Sequence, residues 1–326
     1  MGDDPDRGVR PLRAPLKVKW RSVPVGAGAA SGTVPLPVGT AGDVSPRALI
    51  AAGVHGDEGP WGALAIRKLI GRITPDRLIG SLILLPVSNP TAMETNRRTS
   101  PLDSLDLNRC FPGDEGGTHT EMLAAAIVRE ALDSADVVID LHGGGSWAMN
   151  AFAFSFPGGK DLALAIGAPF IVDASRRDLG SVTLTTQGLA RGKRVVAVEM
   201  GGHSSVEDAW AERLADGVER ALVAARVLKP DPKLAPAPLS RPVPPPIVLR
   251  PSRGGLFRPR LGEEANGMIV PKGTVLGTVV DPGSFRTLES LRAPFGETAL
   301  LLIRPMLAVV EAGAMSYVVS DAGATT

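Results

Sequence analysis

Two histidines and a glutamate stand in settings that suit metal ligation. His55 and Glu58 are three residues apart within Gly-Val-His-Gly-Asp-Glu, a spacing that puts both side chains on one face of a single helical turn. On its own, such a pair is a weak signal, because a chain of this length easily contains one by chance as solvated loop residues. A second histidine, His142, follows another apolar run and precedes three glycines. Because imidazole nitrogens and a carboxylate oxygen suit Zn²⁺, these three residues are candidate ligands for one zinc ion per chain.

The elements that must position these residues are apolar runs alternating with amphipathic helices. Runs typical of strands cover residues 47–54, 81–87, 136–141 and 194–198, and helical patterns cover about 61–70, 120–134 and 206–228. Continuous apolar strands between helices favour a mixed, largely parallel α/β sheet flanked by helices. Since ligand sites in open α/β sheets lie at the carboxyl ends of strands, we expect His55, Asn89, His142 and Glu199 to converge on one crevice.

The ends of the chain have a different character. Residues 17–38 are expected to form short strands broken by Gly and Pro. The segment 230–246 holds eight prolines and predicts an extended linker, either a hinge or a strap packed on the surface. Beyond it, short β runs alternate with turns, which favours a small β-barrel or sandwich. We therefore expect a catalytic domain over 1–229, a linker over 230–249 and a C-terminal β domain over 250–326.

Composition excludes several classes of partner. The 35 Lys and Arg residues balance 34 Asp and Glu residues, so no global field favours nucleic acid or an acidic membrane. No apolar run reaches about 18 residues, and the first residues lack an apolar signal core, which favours a cytoplasmic protein. The lone Cys110 excludes an intrachain disulfide and is expected to pack in the interior rather than act as a nucleophile.

Six short motifs occur in an order that resembles a known family. They are GVHGDE (53–58), NPTA (89–92), RR (97–98), DLNRCFPG (106–113), DLHGG (140–144) and VEMGG (198–202). Together, over about residues 40–230, they resemble the succinylglutamate desuccinylase/aspartoacylase family of zinc carboxypeptidase-like hydrolases. The spacing from Arg98 to Arg109 looks most like the bacterial branch that includes N-acetyl-diaminobutyrate deacetylases.

The resemblance implies a role for each motif residue. It implies zinc on His55, Glu58 and His142, and Glu199 as the carboxylate that transfers protons. The position of Glu199 after an apolar run agrees with this role, because the run would bring its side chain to the same crevice as the zinc ligands. A carboxylate beside the metal can take a proton from water and deliver it to a leaving amine. An ordinary salt bridge at the end of a strand is the alternative for Glu199.

The resemblance also implies residues that hold the substrate and orient the zinc site. It implies Arg98 as a catalytic residue, Asn108 and Arg109 as substrate-binding residues, and Asp106 as the carboxylate that orients the first zinc histidine. Which of Arg97, Arg98 and Arg109 polarises the carbonyl and which binds a carboxylate stays open. Asp140, two residues before His142, either orients that histidine or is a polar residue at a strand end.

The expected activity is zinc-dependent removal of an acyl group from an N-acylated amino acid or a similar small amide, with an anionic small-molecule substrate. The alternative is a metallocarboxypeptidase that cleaves short peptides. The C-terminal segment is similar to lipoyl and biotinyl barrels, but the turn at 281–284 that would carry the modified lysine has none, which disfavours a carrier module. We expect this domain to narrow access to the site or to mediate homo-oligomerisation.

Overall fold

The computed structural model describes residues 16–28, 32–175, 182–202 and 207–324. Its helices are α1 (Gly59–Arg72), α2 (Pro90–Glu94), α3 (His119–Ile127), α4 (Lys160–Ile166), α5 (Leu184–Ala190) and α6 (Glu207–Ala224). The strands before residue 203 are β1 (Lys19–Gly28), β2 (Gly32–Ala41), β3 (Arg47–Ala52), β4 (Ser81–Leu85), β5 (Val137–His142), β6 (Met149–Ser155), β7 (Phe170–Asp173) and β8 (Arg194–Gly202). The later strands are β9 (Arg241–Val243), β10 (Ile247–Leu249), β11 (Gly255–Pro259), β12 (Ile269–Pro271), β13 (Val275–Val280), β14 (Thr287–Arg292), β15 (Glu297–Ile303), β16 (Ala308–Val310) and β17 (Tyr317–Asp321).

A large mixed sheet forms the centre of the protein. Its strand order is β1-β2-β4-β3-β5-β8-β6-β15-β17-β10, and the central strands β4, β3, β5 and β8 are parallel. A separate antiparallel sheet in the order β14-β13-β11-β16 lies in the C-terminal part. The predicted fold class, a mixed α/β sheet flanked by helices with an additional C-terminal β unit, is confirmed.

The central strands are apolar along their whole length because both faces of the sheet are covered. Ile50 of β3 packs in the cluster that includes Leu69 of α1, whereas the preceding residue, Leu49, packs in the cluster that includes Leu123 of α3. Successive side chains of a strand point to opposite faces, so a strand buried on both sides needs apolar residues throughout. Because these strands are also parallel, their carboxyl ends lie together at one end of the sheet, where the candidate site residues follow them.

The expectation of short, broken strands over residues 17–38 is wrong. The structure has two ten-residue antiparallel strands, β1 and β2, in which Pro24 is the register partner of Pro35. Proline is tolerated here because β1 is an edge strand and β2 pairs with β4 only over Gly39–Ala41. Each proline therefore lies where an unpaired backbone nitrogen costs no ladder hydrogen bond.

The C-terminal part joins the main sheet directly. β15 pairs with β6, where Leu302 is the register partner of Asn150. The proline-rich segment contributes β9, which pairs in parallel with β7. The domain boundaries at 229 and 249 stay a prediction. In the described ranges, no helix combines the length and the apolar composition that crossing a membrane requires.

Candidate active site

Three side chains meet at the carboxyl ends of β3 and β5. After β3, Gly53 turns the chain with a φ of +67°, and His55 begins the short 3₁₀ turn Gly56–Glu58. This turn places Nδ1 of His55 at 2.9 Å from Oε1 of Glu58. His142, the last residue of β5, places its own Nδ1 at 2.9 Å from Oε2 of the same carboxylate. All three side chains are buried.

An aspartate stands behind each histidine. Nε2 of His55 lies 3.1 Å from Oδ1 of Asp106, and Nε2 of His142 lies 3.0 Å from Oδ2 of Asp140, the latter as an ionic contact without hydrogen-bond geometry. A carboxylate behind a ligating imidazole fixes its ring orientation and raises its basicity. Asp140 and His142 are two residues apart on β5, so both side chains point to the same face of the sheet. Both rings consequently turn Nδ1 toward Glu58.

The electrostatics of this cluster favour a positive charge between the three side chains. Burial alone would lower the pKa of His55, but the charge of Glu58 and bonds to Asp106 and Glu58 raise it. Burial is likewise outweighed at His142, where the charge of Asp140 and the contact with Glu58 hold the pKa well above its usual value. For Glu58, burial opposes ionisation, yet the two imidazoles bring the pKa of this carboxyl below its ordinary range.

The donor set of the cluster suits a divalent metal ion. One ligand atom from each of His55, Glu58 and His142 lies within 4.8 Å of the others, so the group could hold one ion. Two imidazole nitrogens and a carboxylate oxygen are a ligand set typical of catalytic zinc, with the remaining position left for water or substrate. The buried, ionised carboxylate between two rings supplies the charge that such an ion requires.

Glu199 lies beside this cluster on the neighbouring strand. It is the register partner of His142 across β5 and β8, and β8 continues through Gly202, beyond the predicted end of this strand. Its Oε2 accepts a 2.6 Å hydrogen bond from Nδ2 of Asn150. Burial, with a contribution from the charge of Glu58, raises the pKa of Glu199 to about 7 although the charge of His142 opposes this. A carboxyl with such a pKa can both accept and donate a proton near neutral pH.

Arg98 reaches the same cluster from the solvent side. Its Nη1 lies 3.2 Å from Oε1 of Glu58 and 3.3 Å from Nδ1 of His55. Nε and Nη2 both donate to Oδ2 of Asp106, at 3.2 and 3.1 Å, and the side chain is 47% exposed. Its neighbour Arg97 is exposed and accepts, through its backbone carbonyl, a hydrogen bond from the amide of Asp57. Of these two adjacent arginines, it is thus Arg98 that contacts the cluster.

Asn108 and Arg109 lie at the periphery of the cluster, in the 3₁₀ turn Leu107–Arg109 that Asp106 caps. Oδ1 of Asn108 accepts a 3.0 Å hydrogen bond from the amide of Leu184, which ties this turn to α5. Arg109 is exposed, and its Nη1 donates to the carbonyl of Asn108 at 2.7 Å. The hydrogen bonds of the described residues do not connect Arg109 to the histidines or to Glu58.

Asn89 has a structural task next to the site. Its Oδ1 accepts a hydrogen bond from the amide of Ala92 and caps α2. The backbone of α2 then lies directly against Gly56, where an added Cβ would come within 2.3 Å of atoms of Ala92 and Met93. Asn89 therefore supports the turn that carries His55 and Glu58 rather than joining the cluster itself.

Three residues near the site were not expected from the sequence. Asn150 bonds to Glu199, and the guanidinium carbon of Arg304 lies 4.4 Å from the ring centroid of Trp147, in the loop after His142. A polar residue within the apolar run 149–154 is the one sequence signal for Asn150. Arg304 has none, because it follows β15, far along the chain from the loop that it covers.

A mixed sheet with a two-histidine, one-carboxylate group at the ends of its parallel strands is an arrangement suited to hydrolysis with a metal ion. The family model for the succinylglutamate desuccinylase/aspartoacylase catalytic domain matches residues 44–225, so the chain belongs to this family of deacylases. The family predicted from the sequence motifs is confirmed.

Known relatives support this assignment. The chain is 36% identical over 167 residues to the N-alpha-acetyl-L-2,4-diaminobutyric acid deacetylase of Halomonas elongata, a match that spans 48% of each chain and hence about half of that relative. It is similar to a succinylglutamate desuccinylase/aspartoacylase structure from Rhodobacter sphaeroides, with 26% identity, a TM-score of 0.78, and coverage of 96% of this chain and 98% of that one. The product-bound ectoine utilization protein of Ruegeria pomeroyi gives 25% identity and a TM-score of 0.79, over 98% of this chain and 100% of that one.

Proposed function

We propose that this protein is a zinc-dependent amidohydrolase that removes an acyl group from an N-acylated amino acid or a similar small amide. The observation that carries the proposal is the buried group of His55, Glu58 and His142, with Glu199 beside His142 on the next parallel strand. The Halomonas relative is a deacetylase of an N-acetylated amino acid, which supports amide hydrolysis as the reaction type.

The metal would be one zinc ion per chain, held by His55, Glu58 and His142. Bound there, zinc supplies Lewis-acid activation of water and of the substrate carbonyl. Asp106 and Asp140 hold the two imidazoles in the orientation that presents Nδ1, as their contacts with both Nε2 atoms support.

Glu199 is proposed as the group that moves the proton. It accepts a proton from the attacking water and returns it to the nitrogen of the leaving amine, which would otherwise depart as an unstable anion. Its pKa near neutrality supports both halves of this exchange, because the carboxylate must be ionised at the start and protonated midway.

The cationic and amide donors are proposed to recognise the acyl amino acid. Arg98 lies close enough to Glu58 to donate to the carbonyl oxygen of a substrate bound at the cluster, where negative charge develops during attack. Asn108 and Arg109 would hold a substrate carboxylate at the rim, since a guanidinium fork matches a carboxylate in bidentate fashion. An anionic small molecule is therefore the proposed substrate.

The test is an activity and metal assay on the purified full chain. We expect about one zinc per chain by elemental analysis, loss of activity on chelation, and recovery on adding zinc. The substrate panel contains N-acetyl-2,4-diaminobutyrate, N-acetylaspartate, N-succinylglutamate and short dipeptides. His142→Ala removes metal and activity together, whereas the control His119→Ala, at a histidine outside the cluster, retains both.

Two outcomes would change the proposal. No hydrolysis of any acyl amino acid by the zinc-loaded protein refutes the proposed deacylase activity. Faster cleavage of the dipeptides than of the acyl amino acids would favour the metallocarboxypeptidase alternative instead.

A further inference from the structure

Asn150 is a residue that stability alone does not explain. It lies within β6 between Met149 and Ala151, and it is only 4% exposed. Asparagine is unfavourable in strands, and a buried amide costs free energy unless its polar atoms are all hydrogen-bonded. Within the described part of the chain, Oδ1 of Asn150 has no hydrogen-bond partner. An apolar residue would therefore suit this position better if packing were its only task.

The side-chain bond that Asn150 does make goes to Glu199. Nδ2 donates to Oε2 at 2.6 Å, a short bond of the kind that an ionised acceptor forms. Phe152, two residues further along β6, is the register partner of Glu199, so Asn150 and Glu199 lie on the same face of the sheet. The bond engages one carboxylate oxygen and sets the direction in which the other one points.

The backbone of Asn150 is held from two sides by the C-terminal part of the chain. Leu302 of β15 is its register partner, and Nδ2 of Asn266 donates to its carbonyl oxygen at 3.1 Å. On the opposite side, Gly201 of β8 is its register partner. The position of Asn150, and with it the direction of the Glu199 carboxylate, thus depends on residues more than 100 positions away in sequence.

We propose that Asn150 is a positioning residue for Glu199, and that Asn266 holds Asn150 in place. The C-terminal β segment thereby aligns the proton-transfer carboxylate, a role distinct from narrowing access or mediating assembly. This inference rests on the proposed function of Glu199. Asn150 acts on the orientation of one carboxyl group and touches none of the three candidate metal ligands among the contacts of the described residues.

The test compares kcat, KM and metal content for three substitutions at Asn150. Asn150→Ala removes the side-chain amide, Asn150→Leu replaces it by an apolar group of similar branching, and Asn150→Ser replaces the amide donor by a hydroxyl donor. We expect Ala and Leu to lower kcat alike, by about 10- to 100-fold, because both lose a hydrogen bond to a charged group. KM and zinc content stay near the wild-type values, and Ser restores part of kcat.

Asn266→Ala provides a second test, since it removes the hydrogen bond to the carbonyl of Asn150 while every residue of β6, Asn150 included, stays unsubstituted. We expect a smaller fall in kcat, roughly threefold to tenfold, with unchanged zinc content. The matched control is Ser155→Ala, which removes a buried polar group from the same strand but on the opposite face, and which leaves kcat unchanged.

The substitutions distinguish positioning from packing. A packing role predicts that Leu is tolerated and that Ala is the most harmful substitution. If the wild-type protein is active and kcat of both Ala and Leu stays within about twofold of it, the positioning role is refuted while the proposed function stands. An inactive wild-type protein overturns the proposed function and this inference with it.

Discussion

Replacing Gly56 by alanine should disrupt the candidate metal site through the backbone. A Cβ at this position would lie 2.1 Å from the carbonyl carbon of Ala92 and 2.3 Å from the amide nitrogen of Met93. Ordinary contact begins at 3.4 Å, so the two segments would have to move apart by about 1.3 Å to bring the 2.1 Å contact to that distance. The neighbouring atoms are backbone of α2, which Asn89 caps, so they cannot move aside as a flexible side chain would.

The consequence for the site follows from the place of Gly56 between His55 and Glu58. Metal–ligand distances tolerate only about 0.2 Å, and a misplacement of about 1 Å can lower catalysis roughly 100-fold. Overpacking of this kind also lowers the free energy of unfolding by about 1–3 kcal/mol. We therefore expect Gly56→Ala to lose most of its zinc and about 100-fold in kcat/KM.

The assay measures zinc content, kcat/KM and the free energy of unfolding for Gly56→Ala beside Gly71→Ala. The control makes the same chemical change within α1, where an added Cβ meets no atom within 4 Å. Gly71→Ala should keep its zinc and activity, and its free energy of unfolding should rise by about 0.5–1 kcal/mol, because alanine is a better helix former than glycine. Full zinc occupancy and unchanged kcat/KM in Gly56→Ala would refute the reasoning.

Further predictions concern the groups around the cluster. Glu199→Gln should lower kcat by about 10²- to 10⁴-fold while zinc content stays at the wild-type level, and loss of zinc would contradict a proton-transfer role. Because burial raises the pKa of Glu199 to about 7, the carboxylate is lost as pH falls through this value, so kcat/KM should fall about tenfold per pH unit on the acid side. A bound divalent ion moves this limb to lower pH, and a pH–rate profile that is flat down to pH 4 would contradict the assignment. Asp106→Asn and Asp140→Asn should each weaken zinc binding about 10- to 100-fold in chelator competition, and unchanged affinity would show that these carboxylates do not orient the histidines. Burial raises the pKa of the Cys110 thiol to about 11, so at pH 8 its thiolate is about 100-fold scarcer than that of a free cysteine. A thiolate of higher pKa is also about tenfold more nucleophilic. We therefore expect alkylation of Cys110 to be about tenfold slower than alkylation of a free cysteine. Cys110→Ser should retain activity, and an inactive variant would reopen a catalytic role for the thiol.

The centre of the fold was accessible from the sequence because its signals are local. Each central strand is a continuous apolar run, and each of His55, His142 and Glu199 falls at or near the end of one. Parallel strands bring their carboxyl ends to one edge of a sheet, so residues distant in sequence converge without any knowledge of their contacts. The pairing of His142 with Glu199 in register is the outcome of this rule.

Side-chain direction and long-range strand pairing were not accessible in the same way. Adjacent arginines at 97 and 98 are equivalent in sequence, and only the structure shows that Arg98 is the one that contacts Glu58. The pairing of β15 with β6 joins Leu302 to Asn150. No periodicity in either segment signals that contact, so the neighbour of Glu199 was not anticipated.

The same pairing bears on whether the C-terminal part is a detachable module. Phe152, Phe170 and Val172 pack in one cluster with Ala299 and Leu301, so a chain that ends at residue 249 exposes the apolar surface of β6 and β7. Exposing a large apolar side chain costs about 1.5–3 kcal/mol, and a few such losses approach the 5–15 kcal/mol that typically stabilises a folded protein. We expect the fragment 1–249 to aggregate or to melt far below the full chain, with no hydrolase activity, when solubility and circular dichroism are compared. A soluble, zinc-loaded and active fragment would instead show that the β domain is an accessory to the fold and to the site.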